Sequence, residues 1–354
     1  MRALPQTYNI EETYVSNYTR GPAIDFPAPH VPETPLKDFL GLKVRSRLGI
    51  AAGLLLNSKW ISAYARFGFD LLTYKTVRSS HRPCYDLPNW VFVDDRGNRD
   101  GPVYTTKLNQ SDPENATSAV CFGMPSMAPD IWRNDVQRAR RKLTEGQALI
   151  VSVVATPPER SYADDVILDF CRCAEWAVEA GAHIIEANFS CPNVCSAEGT
   201  IYLDPQFSRK IASAIRNSIG AIPLLIKTGN FPSEEKLHEF LQAVAGFANG
   251  VTLVNCIVRP VLHPDGRAVF GEKYRSVGVA GRAIHEPSLA AVRSAVGIIK
   301  QDTLPLEILA VGGVARIQDI EDFFSAGASA VLMGSAPMYI PHLAAEVKRA
   351  HPEW

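Results

Sequence analysis

The stretch EANFSCPNVCS (186–196) brings Asn188, Cys191 and Asn193 within six positions, with Pro192 between the last two. A free thiol titrates at about 8.5, so a shielded Cys can act as a general base near neutral pH. The alternative is a small buried thiol at a strand end. Asn carries one acceptor and two donors, which together read the C=O and the N–H of a planar amide ring. Lys75 and Lys227 each close an apolar run, FDLLTYK and IPLLIK. An ammonium emerging there can stabilise negative charge that develops on a bound ring, or it can snorkel to solvent. Asn255 closes a third run in LVNC. Three amides, Asn188, Asn193 and Asn255, on one face suit an amide-like ligand. Two more runs end in glycine, AVGGV (310–314) and LMGSA (332–336), and a helix is expected near Pro337. Glycine lets the backbone approach an anion, and a helix start supplies oriented N–H groups.

These residues need a frame that gathers strand ends. Eight apolar runs recur at 49–53, 69–75, 148–154, 183–190, 222–227, 250–255, 307–313 and 329–335. Each is nearly continuous, as strands buried on both faces should be. Helical patterns follow at 57–68, capped by Asn57 or Ser58, and at 164–181, 232–246 and 316–327. This alternation predicts an α/β fold, a (β/α)8 TIM barrel with its chemistry at the C-terminal strand ends. The loops after strands seven and eight of that fold bind phosphate. A doubly wound open sheet, the competing architecture, would have fewer strands. Two long insertions follow strands two (79–135) and six (256–283), on the active-site face, as a lid or as substrate contacts. The first contains a hairpin in WVFVDDRGNRDGPVYTT. No linker divides residues 1–354, so one domain is expected, with 1–40 as an N-terminal extension packing on the barrel.

Composition narrows the function classes. With 46% apolar and 21% charged residues the chain can build a large soluble core. A net charge of −1 gives no bulk field for nucleic acid. The apolar run LGIAAGLLL is too short to cross a bilayer, and the N-terminus has no signal core, so a cytoplasmic protein is expected. Seven scattered cysteines form no metal knuckle or disulfide framework, so no metal site is expected.

Taken in order, NFSCPNV, Lys75, LLIK, LVN, VGVAGRAI (277–284), VGG and MGSA resemble the dihydroorotate dehydrogenase family, and GIAAG with FGFDLLTYKTV fits its opening. The likeness runs from about residue 40 to 340. It implies an FMN-dependent oxidoreductase that oxidises dihydroorotate to orotate in pyrimidine biosynthesis. On the family pattern, Ala52, Gly53, Lys75, Thr76, Asn188, Lys227, Val254 and Asn255 line the isoalloxazine side. Gly281, Gly312, Gly313, Gly334 and Ser335 hold the ribityl phosphate. Lys75, Gly123, Met124, Asn188, Asn193, Asn255 and Cys256 face the substrate. Cys191 is the implied base, with Lys75 beside it: it takes a proton from the carbon next to a carbonyl while the neighbouring carbon passes hydride to flavin N5. Cys191 and Lys75 resemble the cytosolic class 1, whereas GIAAG resembles the membrane-linked class. A homodimer is the class-1 expectation, with the electron acceptor or electron-transfer partner left open.

The substrate loop departs from the family pattern: in VCFGMPS (120–126), Val120 and Ser126 stand where Asn is usual. Cys256 replaces a Ser or Thr, and the usual Gly-Asn-Pro-x-Pro-Arg is missing after Lys75. A related pyrimidine or cyclic amide is therefore an alternative substrate, and a dihydropyrimidine dehydrogenase-like reductase an alternative enzyme. A non-flavin phosphate-binding barrel lyase would share the glycine loops but not the Asn-x-x-Cys-Pro-Asn run. A dihydrouridine synthase would need a basic RNA-binding surface.

Overall fold

The computed structural model describes residues 6–98, 100–156, 163–190 and 197–354. The chain begins with helix α1 (Tyr14–Arg20) and a hairpin of β1 (Lys37–Phe39) and β2 (Leu42–Val44). A strand–helix course then starts with β3 (Leu48–Ile50), α2 (Ser58–Arg66) and β4 (Leu71–Val77). The first insertion supplies β5 (Trp90–Asp94), β6 (Val103–Thr106) and β7 (Thr117–Val120). The course resumes with α3 (Pro129–Lys142), β8 (Ala148–Val153), α4 (Ala163–Glu179), β9 (Ile184–Asn188) and α5 (Pro205–Ile219). Next come β10 (Leu224–Lys227), α6 (Glu234–Val244) and β11 (Gly250–Leu253). The second insertion adds β12 (Ile257–Leu262) and β13 (Ser276–Gly281). The chain finishes through α7 (His285–Asp302), β14 (Glu307–Val311), α8 (Ile317–Ser325), β15 (Ala330–Met333) and α9 (Leu343–Ala350).

Strands β3, β4, β8, β9, β10, β11, β14 and β15 close in that order into a parallel barrel. Each lies within or overlaps one of the eight apolar runs, and the fold is a (β/α)8 TIM barrel. Local signals set the helix starts: the side chains of Asn57, Asp204 and Ser233 accept the N–H groups of Lys59, Phe207 and Lys236. The start expected near Pro337 is different. Ala336–Met338 is a single 3-10 turn, and the α-helix begins only at Leu343. Pro341 explains the delay, because it lacks an N–H and disfavours helical geometry at Ile340.

Side-chain parity divides the barrel interior into two levels. Leu71, Ala148, Ile150, Ile184, Leu225, Leu309 and Leu332 fill the lower level, and Phe39 and Val44 of the β1–β2 hairpin plug it from below. Each of the Leu, Ile, Val and Phe side chains among these, fully buried, contributes about 1.5–3 kcal/mol. Two residues further along the same strands the interior turns polar, with Thr73, Lys75, Glu186, Asn188, Lys227 and Thr252. At the barrel base Lys348 of α9 forms a 2.6 Å ion pair with Asp70, both fully enclosed.

The two insertions meet instead of standing as separate lids. Strands β5, β6, β7, β12 and β13 close into a second, five-stranded barrel, with Val261 registered beside Val103 and Gly278 beside Val120. Alternation explains the closure. Val93, Val103, Ala119, Val261, Val277 and Val279 form a core of their own. Trp90, Ser118, Val120, Gly278 and Ala280, of the opposite parity, face the main barrel's mouth. Upstream, buried Tyr8 packs on Trp60, Trp90 and Phe122, and Thr7 donates its N–H to the Met338 carbonyl. No helix among the described residues is long and apolar enough to cross a membrane.

Candidate active site

Between the two barrels lies a cleft of about 920 Å³, open mouth included. Its floor is made by the C-terminal ends of the main-barrel strands. Lys75 and Thr76 both reach it because the β4–β8 register shifts between Tyr74 and Val77. This irregularity turns two consecutive residues toward one cavity. Thr76 is fixed there by a 3.1 Å hydrogen bond between its hydroxyl and that of Ser152. Lys227 ends β10, almost wholly enclosed, with Nζ 3.5 Å from the Ala52 carbonyl in the turn after β3. Ala52 and Gly53 line the cleft beside it.

The amides of Asn188 and Asn255 are held by short bonds. The Asn188 carbonyl accepts the Ser190 N–H at 3.1 Å, and its Nδ2 lies 3.6 Å from Met124 Sδ. Asn255 Nδ2 donates to the Ser190 carbonyl at 2.9 Å. Both amides therefore grip Ser190, the last described residue before the segment that carries the Cys. Cys191 and Asn193 themselves lie outside the described residues.

Above the floor, the five-stranded barrel supplies Trp90, Ser118, Val120, Gly278 and Ala280, and the loop after β7 supplies Phe122 and Met124. Arg78, wholly buried, donates to the carbonyls of Met124 (3.1 Å) and Ala155 (2.9 Å), so it ties this loop to the end of β8. Met124 and Cys256 line the cleft. Gly123 instead packs against Tyr85, whose ring would lie 2.5 Å from an added Cβ, and Val254 is buried behind the wall. Sequence reasoning missed Trp90, Ser118, Phe122, Gly278 and Ala280. No polar–apolar alternation in WVFV or TSAV marks them, because their facing is set by the pairing of β7 with β5 and β13.

The cleft runs on into a smaller hollow of about 360 Å³ lined by Gly281, Gly312, Gly313, Gly334, Ser335 and Tyr339. Its glycines are there for two reasons. Gly313 (φ +67°) and Gly281 (φ +92°) have left-handed backbones and lie against His285 and Ala116, leaving no room for a Cβ. Around Gly334, by contrast, nothing lies within 4 Å of an added Cβ, which would stand in the cradle itself. Behind the hollow, Arg282 donates to Asp319 at 2.7 Å, and the second Asp319 oxygen accepts the N–H groups of Ala315 and Arg316.

The electrostatics are one-sided. Two lysines and no carboxylate are among the residues that line the main cleft. Such a site favours anionic ligands. Burial pushes the Tyr339 phenol up to about 12 and the Cys84 thiol, despite nearby Lys75, up to about 12 as well. Cys171 is likewise raised by burial, to about 11. These three thiol and phenol groups stay protonated at neutral pH and offer no base.

A family model described as dihydroorotate dehydrogenase matches residues 114–350, about two thirds of the chain. The dihydroorotate dehydrogenase of Dictyostelium discoideum is 31% identical over 360 residues, covering 95% of both chains. The catalytic subunit of dihydroorotate dehydrogenase B (NAD(+)) from Bacillus pumilus is 29% identical over 195 residues, 54% of this chain and 60% of its own. Among solved structures, DHODH of Eimeria tenella in complex with ferulenol has a TM-score of 0.73, over 95% of this chain and 89% of its own. Its 17% sequence identity makes that a likeness of fold.

Proposed function

The chain belongs to the dihydroorotate dehydrogenase family, and from that premise we propose how its own residues perform the reaction. It is an FMN-dependent oxidoreductase acting on a CH–CH group, and its small-molecule reaction is the oxidation of dihydroorotate to orotate in pyrimidine biosynthesis. The alternative, a dihydropyrimidine dehydrogenase-like reductase, is not favoured. The observation that carries the assignment of roles is the continuous cleft in which buried Lys75 and Lys227 and two pinned amides lead into a glycine cradle.

The residues present fit FMN. The open space at Gly334 and the backbone of Gly312, Gly313 and Ser335 lining the hollow suit a phosphate. When bound, FMN supplies the two-electron acceptor. Lys227 and Lys75 would hold negative charge on the ring and on the substrate carboxylate. Asn188 and Asn255 would read the amide edges of the pyrimidine, Met124 and Cys256 would shape its pocket, and Asn193 would join from the adjacent segment. Cys191 would take the proton from the substrate carbon next to the carbonyl. The grip of Asn188 and Asn255 on Ser190 supports this role, because it fixes the backbone one residue before the thiol.

Residues 1–354 acting as one domain, a cytoplasmic location and a homodimer complete the proposal. A separate electron-transfer subunit is supported by the Bacillus relative's being named a catalytic subunit.

Anaerobic mixing tests the reading. Purified protein should show visible flavin absorption that bleaches with dihydroorotate. Cys191→Ala should keep the absorption and lose the bleaching. A colourless protein that FMN does not colour would overturn the assignment, and unchanged bleaching in Cys191→Ala would remove the base role.

A further inference from the structure

Glu186 is the one acid on the polar level of the main-barrel interior among the described residues, and the cleft chemistry above does not use it. It is completely buried in β9, and neither carboxylate oxygen has a hydrogen-bond partner among the described residues. Its direction follows from parity. Ile184, two residues before it, belongs to the interior cluster, and Asn188, two residues after it, lines the cleft. Glu186 therefore stands inside the barrel, one step beneath the cleft floor.

Its neighbours are fixed by register. Leu225 lies beside Glu186 and Lys227 beside Asn188, so Lys227 is the diagonal neighbour of Glu186. Ser152 flanks it on the other side, and Ser152 bonds Thr76, the residue after Lys75. Thr252, registered with Lys227, and Thr73, two before Lys75, add interior hydroxyls that also have no hydrogen-bond partner among the described residues. The opposite wall is apolar, with Leu309, Val311 and Leu332. Two ammonium groups are thus enclosed on one side of the barrel, and among the described residues the other charged side chain buried at that level is Glu186. A buried charge persists where an opposite charge compensates it.

We propose that Glu186 is a positioning residue: it is the standing counter-charge beneath Lys227 and Lys75, and it limits how strongly the cleft holds anionic ligand and how readily its cofactor accepts electrons. The inference rests on the reading of the cleft as the FMN and substrate site. Removing the negative charge takes away Glu186's share in compensating the lysines' field. At an effective interior dielectric, one unit charge at diagonal-neighbour distance changes such equilibria on the order of tenfold or more.

The experiment compares FMN-loaded wild type, Glu186→Gln and Glu186→Asp. The Gln variant should bind orotate about tenfold more tightly in the oxidised form. Its flavin midpoint potential, read against a reference dye, should rise by about 30 mV, the two-electron equivalent of tenfold. Glu186→Asp, which keeps the charge, should return both values toward wild type. Unchanged potential and orotate affinity in a yellow, folded Gln variant would overturn the inference and leave the FMN reading standing. Absence of FMN from the wild type would instead overturn the reading beneath it. Should Glu186→Gln fail to fold, the double variant Glu186→Gln/Lys227→Gln decides. Recovery of folding supports the charge pairing, and failure to recover overturns it.

Discussion

Gly334→Ala separates the proposed cofactor binding from fold stability. An added Cβ at Gly334 meets no protein atom within 4 Å, and its backbone is outside the left-handed region. The variant should therefore fold as the wild type does, within about 0.5 kcal/mol. The same methyl stands in the hollow proposed for the phosphate, where it would push the anion off its backbone donors. Losing one charge-assisted hydrogen bond costs about 1.5–3 kcal/mol, which weakens FMN about 10- to 140-fold. At equal, saturating FMN the loss passes into stability by mass action. For 354 residues the unfolding entropy is about 0.74 kcal/mol/K, so the loaded variant should melt about 2–4 °C below loaded wild type. Fluorescence titration of apoprotein with FMN and melts with and without FMN read all three quantities. Apoprotein that melts several degrees lower, or FMN affinity equal to wild type, would refute the reasoning. Gly313→Ala is the contrast: with φ at +67° and His285 Cβ 2.7 Å from the added methyl, it should weaken the apoprotein as well.

Other outcomes follow from single contacts. Lys348→Met strands the enclosed Asp70 carboxylate and should destabilise by about 3–5 kcal/mol in urea titrations, with Asp70→Asn in the same chain recovering much of the loss. His183 accepts the Leu149 N–H at Nδ1, and burial, helped by Arg140, lowers its pKa to about 4 from an unfolded value of 6.5. Between those values the unfolded chain binds a proton that the folded one excludes. Stability should therefore be full above pH 6.5 and fall as pH drops toward 4. His183→Asn should flatten that window, and an unaltered pH profile would show that another group sets it.

The main barrel was legible because its strands are buried on both faces, so each reads as one apolar run. Lys75, Lys227, Asn188 and Asn255 were legible as the polar residues that close such runs. The second barrel was not. Its closure pairs residue 103 with residue 261, and no local pattern announces a partner so distant. Trp90, Ser118 and Ala280 went unread for that reason, and Val120 could be read as a departure from the family loop but not as part of a wall. Glu186 interrupts the apolar run HIIEANFS, and its spacing from Ile184 and Asn188 puts it on their face. The helix expected at Pro337 starts instead at Leu343, because Pro341 blocks helical geometry before it.

The five-stranded ring also bears on how the molecule comes into being. A parallel barrel grows by adding each strand beside the previous one, after a single intervening helix. The ring instead needs two excursions, Val103 in one and Val261 in the other, to find each other, and long-range closure of this kind is slow. The main barrel's own last seam, Val331 beside Leu48, is longer-ranged still, so roof and seam should both close late, after the local helices have formed. A refolding chain would show native-like helix content before it can retain FMN, and a ligand present at that stage could be enclosed as the roof closes over it.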